Sequence, residues 1–191
     1  MTSTGERISS ERVTRIAQAA LSAPSGDNCQ PWSFRWDGDE LTVFHDAGRA
    51  AHVINHHHHG SLLTLGRVLE AMTIAAAAER FTAEARLAAQ IERPEEGSPW
   101  LSVRFAAVES EAGDDAGELS GAIHGRRTDR RLFRGGSVSH PVFTAMRSAA
   151  AGRRGCGLHV INAPSRELTD YIAEADAYVW RQEDVYRDVM R

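Results

Sequence analysis

The first apolar residues of the chain fall at i, i+3, i+4, i+7 and i+8, which is the spacing of one helix face. They are Val13, Ile16, Ala17, Ala20 and Leu21. This pattern predicts an amphipathic helix with Ser9 or Ser10 as its N-cap, because a hydroxyl there can accept a free backbone N–H. Pro24 ends the predicted helix, since the residue before a proline avoids helical backbone.

The pattern then changes to short apolar stretches. Residues 33–36 and 41–45 are predicted strands, joined by a hairpin at Asp37-Gly38. Residues 61–81 are apolar on nearly every face, which predicts a helix at the centre of a domain rather than on its surface. Residues 46–60 form a predicted His-rich loop, and residues 100–108 a further strand.

The second half of the sequence is predicted to contain a helix at residues 141–151, a short strand at 158–162 and a last helix capped by Ser165. No Gly, Pro or capping residue closes that last helix before Arg191, so we expect the natural protein to be longer. Helices and strands are interleaved, which predicts an α+β or α/β fold.

The amino-acid composition argues against some classes of function. The 191 residues are 42% hydrophobic and 25% charged, which is typical of one soluble globular domain. A net charge of −4 provides no overall basic field for nucleic acid or an anionic membrane. There is no signal peptide pattern, and the longest apolar run, residues 72–78, is too short to span a bilayer. We therefore expect a reduced, cytoplasmic location, and neither nucleic acid nor a membrane as partner.

One segment between the first helix and the first strand has the chemistry of a ligand loop. Residues 23–32 read Ala-Pro-Ser-Gly-Asp-Asn-Cys-Gln-Pro-Trp. Ser25, Asn28 and Gln30 offer hydroxyl and amide groups suited to the edge of a heterocycle or to a phosphate. Trp32 could supply an apolar wall. The alternative is an ordinary helix-to-strand loop whose polar side chains cap local backbone.

A second segment is rich in arginine. Residues 126–133 read Arg-Arg-Thr-Asp-Arg-Arg-Leu-Phe, in a chain whose 22 basic residues include no lysine. Guanidinium groups bind phosphate in a bidentate manner and stay charged, so the segment could clamp a phosphate. The alternative is a solvated basic face, the usual role of a charge run.

Together, the two segments resemble the nitroreductase-like FMN-binding superfamily. Pro-Ser-x-x-Asn-x-Gln-Pro-Trp at residues 24–32 resembles its signature loop, and Arg-Arg-Thr-x-Arg-x-x-Phe at 126–133 is similar to its phosphate-binding element. The resemblance implies an α+β fold in which an antiparallel or mixed sheet is surrounded by helices. It implies FMN as cofactor, and no GxGxxG fingerprint follows a predicted strand to favour a dinucleotide such as FAD.

The order of the segments differs from typical members, in which the arginine element precedes the loop. This order resembles the Acg-like branch, which implies two degenerate half-units forming an intrachain pseudo-dimer. On that basis residues 1–108 are a first half-unit, 109–117 a mobile linker and 118–191 the start of a second. A homodimer is the alternative assembly.

The resemblance also implies roles for individual residues. Arg126, Thr128 and Arg130 would contact the FMN phosphate, with Arg127 a weaker candidate. The flavin would be lined from the other half-unit by Pro24, Ser25, Asn28 and Gln30. No residue can be assigned to flavin N5, so the catalytic residue is unknown.

Metal and thiol sites are not expected. The run His56 to His59 is predicted to be an exposed loop, because consecutive residues share no face of a helix or strand. Cys29 and Cys156 have no metal-ligand spacing, and Cys29 is predicted to be a packed small residue rather than a redox sensor.

Three functions follow from the resemblance. The first is an FMN-dependent oxidoreductase that transfers hydride from NADH or NADPH to a nitroaromatic, quinone or similar small acceptor. The second is a non-catalytic protein that sequesters FMN. The third is a module that has lost flavin and serves in assembly.

Overall fold

A computed structural model describes residues 6–53, 55–89, 91, 97–108, 115–129, 131, 136–161 and 163–189. Its helices are α1 (Ser10–Leu21), α2 (Ala47–Ala50), α3 (His59–Ala78), α4 (Asp115–Gly125), α5 (His140–Ala151), α6 (Arg166–Arg181) and α7 (Glu183–Val189). Its strands are β1 (Trp32–Trp36), β2 (Leu41–His45), β3 (Phe81–Leu87) and β4 (Pro99–Ala107). The chain divides into two compact units, Met1–Arg127 and Thr128–Arg191.

The first unit is built on a four-stranded antiparallel sheet with the order β1-β2-β4-β3. The predicted hairpin joins β1 to β2, with Trp36 opposite Leu41. At its turn the Asp37 carboxylate accepts the backbone N–H groups of Asp39 and Glu40. The predicted α+β class is therefore confirmed, with an antiparallel sheet.

The core of the first unit lies between the sheet and the helices α1 and α3. Ile16 of α1, Met72 of α3 and Trp100 of β4 are all fully buried. The predicted N-cap of α1 is confirmed at Ser9, whose hydroxyl accepts the backbone N–H of Arg12 at 3.3 Å. The apolar face of α1 and the apolar residues of α3 thus form the helical side of one core.

Helix α3 is long and apolar enough, by length and composition, to cross a membrane. The uninterrupted apolar run within it, residues 72–78, is too short to span a bilayer, but the helix as a whole is not. Here α3 packs against α1, α4 and β3, and its buried residues include Leu65, Val68 and Met72. In this structure it is used as a core helix.

The end of α3 differs from the prediction, which extended the helix to residue 81. The helix ends at Ala78, and Arg80 follows with a left-handed φ of +68°. Strand β3 begins at Phe81, one residue later. The sequence lacks the glycine that usually takes this helix-ending conformation, so β3 was not predicted.

Helix α4 was also not predicted. Of the predicted mobile linker, residues 109–114 lie outside the described part of the structure, and 115–117 belong to α4. This helix contains Gly117 and Gly121, which lower helix propensity. It packs on α3 and α1, and Ile123 lies against the core, so tertiary packing stabilises it.

The second unit contains α5, α6 and α7. The predicted helix at 141–151 is confirmed, as is the Ser165 cap, whose hydroxyl accepts the N–H of Leu168 at 3.1 Å. The predicted strand at 158–162 is wrong for residues 158–161, which form no strand, and Asn162 lies outside the described residues. The predicted continuous last helix is broken at Gln182, where the backbone is extended. Among the described residues of this unit only Val185 is buried.

Candidate functional site

The loop between α1 and β1 holds an unusual backbone conformation. Asp27, Asn28 and Gln30 have φ angles of +46°, +58° and +45°. Only glycine adopts this left-handed region readily, although Asn and Asp tolerate it better than other residues. Such conformations persist where the surrounding structure enforces them, and they cluster at binding sites.

Hydrogen bonds within the loop enforce that conformation. The Ser25 hydroxyl accepts the backbone N–H of Gln30 at 3.0 Å, and the Gln30 side-chain amide donates to the Leu21 carbonyl at 2.9 Å. The Cys29 N–H donates to the Gly26 carbonyl at 2.9 Å. Ser25 and Gln30 therefore use their side chains to bond local backbone and hold the loop in shape, as the alternative interpretation of this loop expected.

Two arginines that the sequence analysis missed also bind this loop. Arg67 of α3 donates to the Pro24 carbonyl at 3.3 Å, and Arg49 of α2 donates to the Gln30 carbonyl at 3.4 Å. Arg49 also pairs with Asp46 at 3.3 Å. The partners are 43 and 19 residues apart in the chain, so no local sequence signal marks them. They bring positive charge to an acidic chain at the edge of the loop.

Among the polar loop residues predicted to line the flavin, Asn28 is the one whose side chain is not used to hold the loop. It is exposed, and its amide makes no hydrogen bond to any residue in the described part of the chain. Trp32, by contrast, is buried in the core and offers no wall to a ligand, which corrects that prediction. The polar group that this loop presents outward is thus the Asn28 amide.

Burial raises the pKa of the Cys29 thiol, so the thiol is protonated at neutral pH. It also hydrogen-bonds with the Ser25 side chain. A protonated thiol is a poor nucleophile and a poor metal ligand. Cys29 is half-buried in the loop, in agreement with the predicted packed residue.

The arginine segment follows α4, and two of its guanidinium groups have partners within the segment. Arg127 donates to the backbone carbonyls of His124 and Arg126, at 2.8 and 2.7 Å, and so caps the end of α4. Arg131 makes two hydrogen bonds to Asp129, at 2.9 and 2.6 Å, which lower the pKa of that carboxyl. These two arginines therefore have structural partners within the segment.

Arg126 is exposed, and its guanidinium makes no hydrogen bond or ion pair with the described residues. Thr128 is also exposed and is the first residue of the second unit. Arg130 lies outside the described residues. Arg126 is therefore the described arginine of the segment that remains available for a phosphate.

Within the first unit, the loop and the end of α4 lie near opposite ends of α3. The loop residues Gly26 and Cys29 face Thr64 near the start of α3. His124, in the last turn of α4, lines a crevice with Ala75 and Glu79 at the end of α3. Thr64 and Ala75 are separated by a helical rise of about 17 Å. The structure does not bring Asn28 and Arg126 of one unit into a common site.

The His-rich segment forms short helical turns rather than the predicted open loop. His56–His58 is a 3-10 turn, and α3 begins at His59. His45 is fully buried and packs against Trp100, with ring centroids 4.4 Å apart, and against His58. The described residues contain no group of three or more His, Cys, Asp or Glu side chains placed to hold a metal ion.

Comparison with known proteins gives limited similarity. No protein-family model and no curated protein matches the sequence. One similar structure is a protein of Clostridium acetobutylicum provisionally assigned as an NADH oxidase, at 17% identity and a TM-score of 0.45 over 57% of this chain and 82% of that one. Another is a protein of Desulfovibrio desulfuricans provisionally assigned as a nitroreductase and solved with FMN, at 20% identity and a TM-score of 0.44 over 71% of this chain and 90% of that one. At these TM-scores the likenesses carry no functional argument, so the assignment of function rests on the residues of this chain.

Proposed function

We propose that this chain is an FMN-binding protein with nitroreductase-like chemistry. The observation that carries the proposal is the loop at residues 24–32. It matches the superfamily signature in sequence, and internal hydrogen bonds hold it in a strained conformation that leaves the Asn28 amide exposed. Backbone strain fixed in this way is typical of a preorganised ligand site.

The residues available fit a flavin in two respects. The Asn28 amide carries both donors and an acceptor, which suits the alternating donors and acceptors along the pyrimidine edge of a flavin. The Arg126 guanidinium suits the terminal phosphate of FMN, because it can donate two parallel hydrogen bonds and stays charged. Bound FMN would supply hydride acceptance and donation, while the chain orients it and excludes water.

The separation of Asn28 and Arg126 along α3 supports a site shared between two half-units. In this proposal the loop of one half-unit meets the arginine segment of the other, with Thr128 and Arg130 completing the phosphate contacts. The second half-unit is either the partner in a homodimer or, as in the Acg-like branch, a degenerate copy in the same polypeptide. A site shared in this way explains why Asn28 and Arg126 are both exposed and far apart within the compact unit Met1–Arg127.

The proposed reaction is transfer of hydride from NADH or NADPH, through FMN, to a nitroaromatic, quinone or similar acceptor. It is tested by adding NADH or NADPH to the FMN-loaded protein without oxygen. We expect the flavin absorbance to bleach, and a quinone to restore it. A flavin that neither nucleotide reduces but dithionite does would refute the oxidoreductase and identify a protein that sequesters FMN.

A further inference from the structure

The run of histidines at residues 56–59 forms an anchored turn that leads into α3. The Asn55 side chain anchors it from both sides. It donates to the Ala50 carbonyl at 2.8 Å and to the Ser61 hydroxyl at 2.9 Å, and it accepts the backbone N–H of Ser61 at 3.1 Å. The backbone N–H of His58 donates to the Asn55 carbonyl at 3.1 Å. The backbone of the run is therefore held in place by hydrogen bonds.

The turn separates the histidines into an inner and an outer set. His57 and His58 have left-handed φ angles of +49° and +59°. The His58 ring packs edge-on against the fully buried His45, and its Nδ1 atom is buried. His57 and His59 are both exposed. Consecutive residues share no face of a helix or strand, but this turn is neither, and it pairs alternate residues of the run.

The spacing of the two outer rings is close to that of a metal-bound pair. A tetrahedral ion with Zn–N bonds of about 2.1 Å holds two imidazole centroids about 5.4 Å apart. The centroids of His57 and His59 are 6.0 Å apart, with 58° between the ring planes. Because both side chains are exposed, small rotations of their side-chain torsions can bring one nitrogen of each ring to the same ion while the anchored backbone stays in place.

The ligand type and the surrounding charge define the class of ion. Imidazole nitrogen suits Zn²⁺, Ni²⁺ and Cu²⁺, whereas Mg²⁺ and Ca²⁺ prefer oxygen ligands. Among the described residues no third His, Cys, Asp or Glu side chain completes a ligand group, so water would fill the other positions. His59 is the first residue of α3, and the positive end of that helix opposes a cation. These features indicate an exchangeable ion rather than a structural one.

We propose that His57 and His59 together bind one divalent transition metal ion of the zinc and nickel type. Each imidazole supplies one nitrogen ligand, and water supplies the others. His58 takes no part, because its ring lies against the buried His45. The site is separate from the proposed flavin contacts, since neither ligand is among the residues assigned to FMN.

The test is a calorimetric titration of the purified full chain, carrying no affinity tag, with Zn²⁺ at neutral pH and without FMN. We expect saturable binding of one ion per chain. His57→Asn and His59→Gln should each weaken it by about 10-fold or more, because losing even an outer-shell partner of a metal ligand has an effect of that size. Asparagine at residue 57 tolerates the left-handed backbone. His140→Gln and His159→Gln replace exposed histidines elsewhere and are the matched controls, which should bind as the unmodified chain does.

The proposal is overturned if the unmodified chain shows no saturable Zn²⁺ binding, or if the two ligand variants bind no more weakly than the two controls. Displacement of Zn²⁺ by an equal concentration of Mg²⁺ would also overturn it. So would binding that persists unchanged at acidic pH, because protons compete for imidazole nitrogen. Circular dichroism checks that each variant keeps the fold, and FMN uptake is read separately from the flavin spectrum. Failure of the metal site is therefore distinguishable from failure of the flavin site.

Discussion

At the scale of single residues, Asn28 combines a backbone role with a proposed ligand role. Its φ of +58° suits Asn and Gly better than residues with an ordinary Cβ. Its amide is the group that we assign to the flavin. The two roles can be separated by substitution. Glycine adopts this backbone conformation but has no amide, whereas alanine neither adopts it readily nor carries an amide.

Asn28→Gly should leave the free energy of unfolding within about 0.5 kcal/mol, whereas Asn28→Ala should lower it by about 1 kcal/mol. Both variants should bind FMN about 10-fold more weakly, because both lack the amide. Urea denaturation and FMN titration measure the two effects. If only the alanine variant lost FMN affinity, Asn28 would serve the backbone alone.

A second residue with a defined role is Glu79, which joins the end of α3 to α1. Its carboxylate accepts two hydrogen bonds from Arg15, at 2.6 and 2.9 Å, and pairs with Arg12 at 3.6 Å. The hydrogen bond from Arg15 is the main cause that holds the pKa of Glu79 below its usual value of 4.5. A lowered folded-state pKa stabilises the fold above the unfolded pKa, and the contribution is lost as pH falls through the folded value.

Glu79→Gln should therefore lower the melting temperature at pH 7 by about 1–3 °C, the range for a partly exposed ion pair in a domain of this size. The difference from the unmodified chain should shrink as pH falls below 4.5 and be lost once the carboxyl is protonated in the folded chain. Glu84→Gln, on the exposed side of β3, is the control and should leave the melting temperature unchanged. A difference that does not change as pH falls would contradict the assigned role of the carboxylate.

At the scale of elements, α3 connects the sequence pattern to the fold. Met72 is fully buried in the core, whereas Leu63 on the same helix is 65% exposed. Helical periodicity alone does not distinguish them, because apolar residues lie on nearly every face of α3. The distinction comes from the elements that pack around the helix.

Met72→Ala should lower the free energy of unfolding by about 2–5 kcal/mol, through lost burial and the cavity left behind. Leu63→Ala should change it by less than about 0.5 kcal/mol. Chemical denaturation of both variants gives the comparison. Equal losses would mean that α3 is not seated in the core as described.

Elements with a strong periodic or capping signal could be predicted from the sequence. Helix α1 has an apolar face and a Ser9 cap, and the β1–β2 hairpin has Asp37-Gly38. The elements that were missed depend on tertiary contacts. Strand β3 follows a helix that ends at Ala78, with Arg80 rather than a glycine in the left-handed conformation after it. Helix α4 contains glycine at residues 117, 121 and 125 but packs on α1 and α3. Local patterns do not carry that information.

The same division applies to the candidate site. The motifs identified the loop and the arginine segment, and the structure confirms that residues 24–30 form one loop. The roles of Gln30 and Arg67 depend on backbone carbonyls that only the folded loop presents, at Leu21 and Pro24. The structural partners of Arg127 and Arg131 likewise appear only in the folded chain.

At the scale of the whole molecule, the proposed site needs two half-units. If the second half-unit is another copy of the chain, variants of the two segments should complement each other. A mixed dimer of Asn28→Ala and Arg126→Ala chains contains one site with both groups intact and one with neither. Each variant alone should bind FMN about 10- to 100-fold more weakly.

Co-expression with two affinity tags isolates the mixed dimer. We expect it to bind one FMN per dimer at the affinity of the unmodified protein. The matched control replaces Arg126→Ala by Arg131→Ala, whose guanidinium is held by Asp129, and this variant alone should bind FMN normally. If a dimer forms but FMN binding is not restored, the two segments do not meet across that interface.

The central claim is that the chain binds FMN, and an FMN titration of the purified protein followed by visible absorbance tests it most directly. We predict saturable, non-covalent binding with a shifted flavin spectrum, because the isoalloxazine ring leaves water for the protein surface. Binding should weaken in the Arg126→Ala variant and not in the Arg131→Ala variant. A protein that remains colourless and takes up no FMN at any concentration tested would contradict the account.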